Sequence, residues 1–156
     1  MFKQRSCFRL VIVVLTAISL SGCTFFDELG AVRMFKDANL AYSRGFYEEA
    51  IELYPDLLTT FRRFGDQAHT GRSLMGLALA YEVQGRYKKA IKRYRESLTL
   101  MRRFGNWKKV MVILNNLAFI HETKGRPAKA IQFWCEGLFV SRKHKIIKSS
   151  EDFCQM

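Results

Sequence analysis

The sequence has only two prolines among its 156 residues, which argues against a loop-rich fold. Hydrophobic residues make up 49% of the chain and charged residues 26%. This is the balance of an ordinary globular protein rather than a disordered one. The length and composition therefore predict a single globular domain.

Motifs of catalysis and cofactor binding are also missing. The sequence has no P-loop, no GxGxxG after a strand, no HExxH, no CxxC pair, and no Ser, His and acid set within a known motif. We therefore expect a protein that is not an enzyme, with no cofactor, no metal site and no small-molecule substrate.

Acidic residues are scarce, with 14 against 26 basic ones and a formal net charge of +12. Residues 1–22 contain Lys3, Arg5 and Arg9 and no acid, and an apolar run occupies 10–20. As a helix this run would be roughly 16 Å long, about half of the ~30 Å bilayer core, so a spanning anchor does not fit. A basic start before a short apolar run is typical of an export signal.

Residues 20–23, at the end of this signal, are Leu20, Ser21, Gly22 and Cys23. The tetrad resembles the bacterial lipobox, in which the Cys thiol receives a diacylglycerol and the preceding peptide bond is cut. The resemblance implies a lipid attached to Cys23, whose acyl chains contribute ~0.8 kcal/mol per buried CH₂ to membrane binding. The alternative is ordinary secretory cleavage beside an incidental cysteine.

The residue after this cysteine is Thr24. In the lipoproteins of enteric bacteria, an Asp at this position signals retention at the inner membrane. The resemblance therefore implies a lipid-anchored protein of the bacterial cell envelope, at the outer membrane and facing the periplasm. Removal of residues 1–22, with their three basic residues, would leave 134 residues at a net charge of +9. Cys135 and Cys154 would remain in a compartment that permits disulfides. They either pair, or Cys135 is a buried thiol and Cys154 lies in a frayed tail.

The rest of the chain repeats with a period of 40 residues. GFYEEAIELY begins at Gly45, GRYKKAIKRY at Gly85 and GRPAKAIQFW at Gly125. In the second copy, apolar residues recur at helical spacing on both sides of Gly85, a residue suited to the left-handed cap of a helix. Each copy is therefore predicted to be two antiparallel helices around a turn. Small residues are expected where these helices cross, at Ala78, Ala90, Ala118 and Ala130.

The second copy carries the pattern Leu, small, Tyr, Gly, Tyr, Ala, aromatic at Leu77, Ala78, Tyr81, Gly85, Tyr87, Ala90 and Tyr94. This pattern resembles the tetratricopeptide repeat, and the 40-residue period is similar to its longer variant in kinesin light chains and bacterial regulators. The resemblance implies an all-α fold, an α-solenoid of about three antiparallel helical hairpins. Three residues depart from it. Pro127 replaces a tyrosine at a helix start, where proline is tolerated, and Pro55 should kink or break a predicted helix. His121, in a tyrosine position, is expected to be a packed core histidine rather than a ligand.

We therefore divide the chain into a signal peptide at 1–22, a lipidated linker at 23–30, helical repeats at 31–142 and a basic tail at 143–156. The repeats are predicted at 31–65, 66–105 and 106–142. Terminal repeats of such arrays normally need a polar cap. Either a partner covers the last hairpin, or the tail forms a half-length helix over it.

The resemblance also implies a peptide-binding face formed by the first helix of each pair. The family's groove positions fall on Phe35, Asn39, Arg72, Met75, Leu79, Glu82, Asn115, Asn116, Phe119 and Glu122. A carboxamide both donates and accepts hydrogen bonds, so Asn115 and Asn116 are candidates to hold the backbone of an extended peptide. The alternative is that both are simply solvated. The lysine clamp of chaperone-binding repeats is missing, because other residues occupy three of its positions: Phe35, Gly76 and Val112.

Two functions are compatible with these features. The first is a lipid-anchored adaptor that docks a protein or peptide partner of an envelope complex, as pilotin lipoproteins do with similar repeats. The second is electrostatic contact of a basic protein with anionic lipid, lipopolysaccharide or nucleic acid, of which nucleic acid is the least expected. The lysines of GRYKKAIKRY do not favour the second function, because Lys88, Lys89 and Lys92 occupy the places of three glutamates one repeat earlier. We interpret them as a solvated outer face, with Glu48 to Glu52 near enough for weak pairs.

Overall fold

The computed structural model describes residues 29–146, which form a series of antiparallel helices without β-strands in that range. The first helix, α1, includes residues 29–43. Five helices of 17 residues follow: α2 (Tyr47–Arg63), α3 (Gln67–Val83), α4 (Tyr87–Arg103), α5 (Trp107–Thr123) and α6 (Pro127–Lys143). The predicted all-α repeat fold is confirmed. Helix α1 takes in residues 29 and 30 of the predicted linker, and α6 takes in the first residue of the predicted tail.

Glycine turns join the helices at a constant interval. Gly45, Gly85 and Gly125 each have a positive φ, as the predicted left-handed cap at Gly85 requires. The Gly85 N–H donates to Glu82 O at 2.9 Å, and the Arg86 N–H donates to Tyr81 O at 2.8 Å. These two bonds form the Schellman arrangement, which satisfies carbonyls at the helix end.

The same turn ends α6, although a lysine occupies the glycine position. Lys145 has φ 48 and lies forty residues after Gly105, whose φ is 65. The Ile146 N–H donates to Ser141 O at 3.1 Å, as the residue after Gly105 does with α4. A side chain in this left-handed region costs roughly 1 kcal/mol relative to glycine.

From α2 to α5, each helix packs against the next one in sequence, and α1 shares a core cluster with α2, so the hairpins stack side by side. The four alanines predicted at helix crossings are all fully buried: Ala78, Ala90, Ala118 and Ala130. Tyr54 of α2 and Tyr94 of α4 are also completely buried, although each carries a hydroxyl. The small residues let the helices approach, and the tyrosine rings fill the space between hairpins.

Pro55 does not break α2, so that part of the sequence prediction is wrong. The helix is continuous from Tyr47 to Arg63 with Pro55 inside it. Proline removes one N–H from the hydrogen-bond ladder, but its ring is on the exposed side of the helix. Tyr54, Leu57 and Leu58 are buried beside it, and their packing holds the helix together.

His121 is a core residue, as predicted. Its side chain is 3% exposed, and its ring stacks on Phe133 with the centroids 5.5 Å apart. Neither ring nitrogen has a hydrogen-bond partner among residues 29–146. Burial, and then the nearby cations led by Lys129 and Arg126, lowers the pKa of His121. The ring is therefore held in its neutral form.

The lysines of the GRYKKAIKRY segment are exposed, as expected for a solvated outer face: Lys88, Lys89 and Lys92. The expected pairs between these lysines and the preceding glutamates are replaced by a different one. Arg86 Nη2 lies 2.9 Å from Glu48 Oε1, which links two successive hairpins. Exposed pairs of this kind contribute roughly 0–1 kcal/mol.

Cys135 has an exposed side chain in α6, so the expectation of a buried Cys135 thiol is wrong. The reason is its position on the helix, since Arg95 and Pro55 occupy the same exposed place in the earlier copies. Cys23 and Cys154 lie outside the described residues, as do residues 1–22. The lipid attachment and the Cys135–Cys154 pair stay predictions.

Candidate peptide-binding face

The ten predicted groove residues all lie on α1, α3 and α5, and we call the surface that they define the first-helix face. Five of them are exposed: Asn39, Arg72, Asn115, Phe119 and Glu122. The other five are half-buried: Phe35, Met75, Leu79, Glu82 and Asn116. Their placement follows from the repeat, because equivalent positions recur every 40 residues on the first helix of each hairpin.

Three of these residues line one cavity between α1 and α3. The cavity has a volume of about 490 Å³, and Phe35, Asn39 and Arg72 are in its wall with Lys36 and His69. The Phe35 ring makes an edge contact with His69, with centroids 5.7 Å apart. This end of the first-helix face therefore combines an aromatic wall with two cationic side chains, Lys36 and Arg72.

Asn39 is held in place by hydrogen bonds within the chain. Its Nδ2 donates to Phe35 O at 2.6 Å, and the buried Tyr54 hydroxyl donates to its Oδ1 at 3.1 Å. Burial, with a smaller effect of Tyr42, raises the pKa of Tyr54 to about 12. The Tyr54 hydroxyl therefore stays protonated at neutral pH and remains a hydrogen-bond donor. A carboxamide has two N–H groups and two lone pairs on oxygen, so Asn39 keeps capacity for a ligand.

A missing side chain lets Tyr54 reach the first-helix face. Gly76 of α3 is buried opposite Tyr54, and a Cβ at this position would overlap the Tyr54 hydroxyl and ring. The tyrosine of α2 therefore passes between α1 and α3 and delivers its hydroxyl to Asn39.

Tyr94 performs the same task one repeat later with two partners. Its hydroxyl donates to Glu82 Oε2 at 2.5 Å, and Asn116 Nδ2 donates to the hydroxyl at 3.0 Å. Burial raises the pKa of Tyr94, and the Glu82 carboxylate raises it further. Burial also raises the pKa of Glu82, against the effect of the hydrogen bond from Tyr94. Glu82 and Asn116, two predicted residues on different helices, are thus joined through one buried hydroxyl.

Asn115 also has a partner within the chain. Its Oδ1 accepts a hydrogen bond from Trp134 Nε1 at 3.1 Å. The expectation that Asn115 and Asn116 are merely solvated is therefore too simple, since each makes one hydrogen bond to an aromatic side chain. Each amide still has unused groups, and peptide binding by these residues stays a prediction.

Apolar side chains lie between the polar residues of this face. Phe119 is 52% exposed, whereas Met75 and Leu79 are partly buried against the core. Two further apolar residues are exposed, Val83 of α3 and Val112 of α5, and Val112 takes the position of Arg72 one repeat later. The tyrosine hydroxyls are an addition to the predicted positions. The sequence pattern that could have indicated these hydroxyls is a tyrosine at the same repeat position in α2 and α4, Tyr54 and Tyr94. It is followed by Gly76 in α3 and Asn116 in α5, which also share one repeat position.

Two other features were sought in the described part of the chain, a metal site and a membrane span. Between residues 29 and 146, no three His, Cys, Asp or Glu side chains are grouped so as to hold a metal ion. Within the same range, each helix is too short or too polar to cross a membrane.

Comparison with known proteins agrees with the repeat architecture. The Tetratricopeptide repeat family profile matches residues 38–103 and 70–138. The tetratricopeptide repeat domain of FLU from Arabidopsis has a similar fold, with a TM-score of 0.69 and 16% identity over 75% of this chain and 98% of that one. BtubC (BKLC) from P. vanneervenii is similar with a TM-score of 0.58 and 27% identity, over 68% of this chain and 43% of that one. No curated protein sequence matches the chain.

The profile covers more than half of the sequence, and its two matched ranges contain α2 to α5 and most of α6. Proteins with these repeats are generally non-enzymatic modules that bind protein partners. The chain belongs to the tetratricopeptide repeat family.

Proposed function

We propose that this protein is a lipid-anchored adaptor of the bacterial cell envelope whose first-helix face binds an extended segment of a protein partner. The observation that carries the binding part is the pair of buried tyrosine hydroxyls that fix Asn39 and Asn116. Side chains held before a ligand arrives lose less conformational entropy when it binds.

The chemistry of the face describes the segment that it would hold. Asn39, Asn115 and Asn116 offer donors and acceptors that suit a peptide backbone whatever its sequence. Exposed Phe119 and Val112 offer apolar contacts for alternate side chains of an extended strand. Arg72 and Lys36, beside the cavity between α1 and α3, suit a carboxylate at one end of the segment. The proposed ligand is therefore an extended peptide with apolar residues and an acidic residue.

Capture of the partner from an envelope extract tests this proposal. Asn39→Ala and Asn116→Ala should each weaken retention of one protein about 2- to 10-fold, since a hydrogen bond contributes about 0.5–1.5 kcal/mol. Lys92→Ala is the matched control, because Lys92 is exposed on the outer face. Retention should persist from ~50 to ~200 mM salt.

The electrostatic alternative predicts a different result. Retention would then collapse between ~50 and ~200 mM salt and would fall with Lys92→Ala as much as with the asparagine variants. Binding of this protein to vesicles of anionic lipid as tightly as to the extract, with no partner protein present, would support the same conclusion. Either outcome contradicts the adaptor proposal.

The anchor is supported by the lipobox residues Leu20 to Cys23. Cys23→Ser should release the protein from the membrane fraction and abolish labelling by a fatty-acid probe. Cys7→Ser is the matched control, since Cys7 precedes the apolar run. Unchanged membrane fractionation of Cys23→Ser would contradict the lipid anchor and leave the peptide-binding proposal to its own test.

A further inference from the structure

The two ends of the helix stack differ in polarity. In the second and third hairpins, the first helix has three positions that are buried in both copies. They are Ser73, Leu77 and Ala80 in α3, and Ile113, Leu117 and Ile120 in α5. The same positions of α1 are Arg33, Asp37 and Leu40, all exposed. Two of these three residues are charged, so these positions are more polar at the amino-terminal end of the described stack, where Leu40 is the one exposed apolar residue among them.

The opposite end keeps its apolar residues. Trp134 and Leu138 of α6 are 39% and 52% exposed, whereas Tyr94 and Leu98, forty residues earlier, are 0% and 7% exposed. Ile131 and Phe139 extend the apolar surface, with 55% and 64% exposure. We call these four residues of α6 the end face. Four exposed large apolar side chains on one helix make this surface a candidate for docking.

The shape of the end face is suited to a helix. In the earlier copies, the positions of Trp134 and Leu138 are buried where the 17-residue helices α3 and α5 pack, as Tyr54 and Leu58 in α2 and as Tyr94 and Leu98 in α4. At the end face, a cavity of about 360 Å³ runs between α5 and α6, with Val112, Trp134 and Leu138 in its wall. The hydrogen bond from Trp134 Nε1 to Asn115 Oδ1 fixes the indole at its edge.

Basic residues that form no ion pair within residues 29–146 lie at one end of this surface. The Trp107 and His144 rings stack with centroids 3.9 Å apart, so α5 begins where α6 ends. Exposed Lys108, Arg142 and Lys145 are within four residues of this contact. Glu136, the single acid of α6, pairs with Arg102 of α4. An occupant that matches the charge must therefore supply carboxylates at this end.

A second copy of the chain does not match. Its polar amino-terminal end would place Arg33 and Asp37 against Ile131, Trp134 and Leu138. Its own end face has no acid, so it would leave the basic residues uncompensated. We propose that the end face binds an amphipathic helix of another protein, which lays an apolar stripe on Ile131, Trp134 and Leu138 and places acidic residues beside Lys108 and Arg142.

Peptide binding to the full chain in nanodiscs of neutral lipid tests this proposal. The probes are two fluorescent 18-residue helical peptides with the same leucine stripe, one flanked by glutamates and the other by lysines, and empty nanodiscs give the background. The acidic peptide should bind at least tenfold more tightly than the basic one. Ile131→Ser and Leu138→Ser should each weaken it about tenfold, as expected for loss of a buried aliphatic side chain.

Phe46→Ser is the matched control, because Phe46 is an equally exposed apolar residue (58%) before α2. It should leave the affinity unchanged, and circular dichroism should show that all variants are folded. Equal affinity for both peptides, no binding at 100 µM, or indifference to Ile131→Ser and Leu138→Ser would overturn the proposal.

Two further outcomes would assign the end face to this chain itself and also overturn the proposal. One is a dimer in sedimentation analysis that Leu138→Ser dissociates. The other is a tenfold gain in peptide affinity on Phe153→Ser, since residues 147–156 would then compete for the surface. Because Ile131 and Leu138 are not residues of the first-helix face, the effect of their substitution on peptide affinity is distinct from failure of the proposed adaptor function.

Discussion

Two glycines in the same helix should respond in different ways to the addition of one methyl group. Gly71 and Gly76 are both buried in α3, and either change to alanine gains about 1 kcal/mol of helix propensity. At Gly71 the new Cβ would overlap the flexible end of Met101 and lie 3.3 Å from Leu100 Cβ. At Gly76 it would overlap the rigid ring and hydroxyl of Tyr54, which is 0% exposed.

Gly76→Ala should therefore destabilise the protein by about 2 kcal/mol. Overpacking costs about 1–3 kcal/mol, and displacement of the Tyr54 hydroxyl from Asn39 costs about 1 kcal/mol more, against the gain in propensity. Gly71→Ala should remain within about 1 kcal/mol of the wild type, because a thioether end moves easily. Urea unfolding followed by circular dichroism measures both free energies of unfolding.

A double variant separates the Tyr54 contact from other effects. Tyr54→Leu alone leaves a cavity and should cost about 2–4 kcal/mol. Combined with Gly76→Ala, the loss should be smaller than the sum by at least about 1 kcal/mol, because each change relieves the other. Additive losses, or Gly76→Ala as stable as Gly71→Ala, would refute the close approach of Tyr54 to α3.

Three further predictions concern single residues. The lowered pKa of His121 means that the unfolded chain binds a proton that the folded chain resists, so the free energy of unfolding should fall as the pH drops below about 6.5. His121→Tyr, with the residue of the preceding repeat, should reduce this fall in urea titrations at pH 5 and 7; an unchanged fall would contradict the assignment. Lys145→Gly should raise the free energy of unfolding, measured by thermal denaturation, by roughly 1 kcal/mol, because glycine adopts the left-handed backbone conformation without the steric cost of a side chain. A lower free energy of unfolding would contradict the positive φ of Lys145. Pro55→Ala should gain between about 1 and 3 kcal/mol by restoring an N–H inside α2, whereas a loss in calorimetry would show that the proline is favourable there.

The sequence was sufficient for the fold because its signals are local and repeated. The glycine of each copy, such as Gly85, indicates the end of a helix that needs a left-handed cap. The alanines, such as Ala78 and Ala90, indicate where two helices cross closely. Three copies in the same phase leave little choice of architecture. The prediction that Pro55 would break α2 was wrong for a physical reason, since burial of Tyr54, Leu57 and Leu58 outweighs one lost hydrogen bond.

The candidate site was predicted less completely. The periodicity places Asn39 and Asn116 on the first-helix face, but the hydroxyls that hold them come from the second helix of a hairpin. Such contacts depend on the angle and distance between helices, which a residue pattern does not contain. The exposure of Trp134 and Leu138 agrees with the expectation that the last hairpin needs a cover, since Tyr94 and Leu98 are buried at the same positions one repeat earlier.

Photo-crosslinking in intact cells tests most directly whether the first-helix face binds a protein. A photoreactive phenylalanine replaces Phe119, which is exposed on this face, and in a separate variant Lys92, which is exposed on the outer face. The adaptor proposal predicts that the probe at 119 captures one protein through an extended segment with apolar residues, and that the probe at 92 does not. Capture of the same set of proteins at both positions, or of lipid alone at 119, would contradict it.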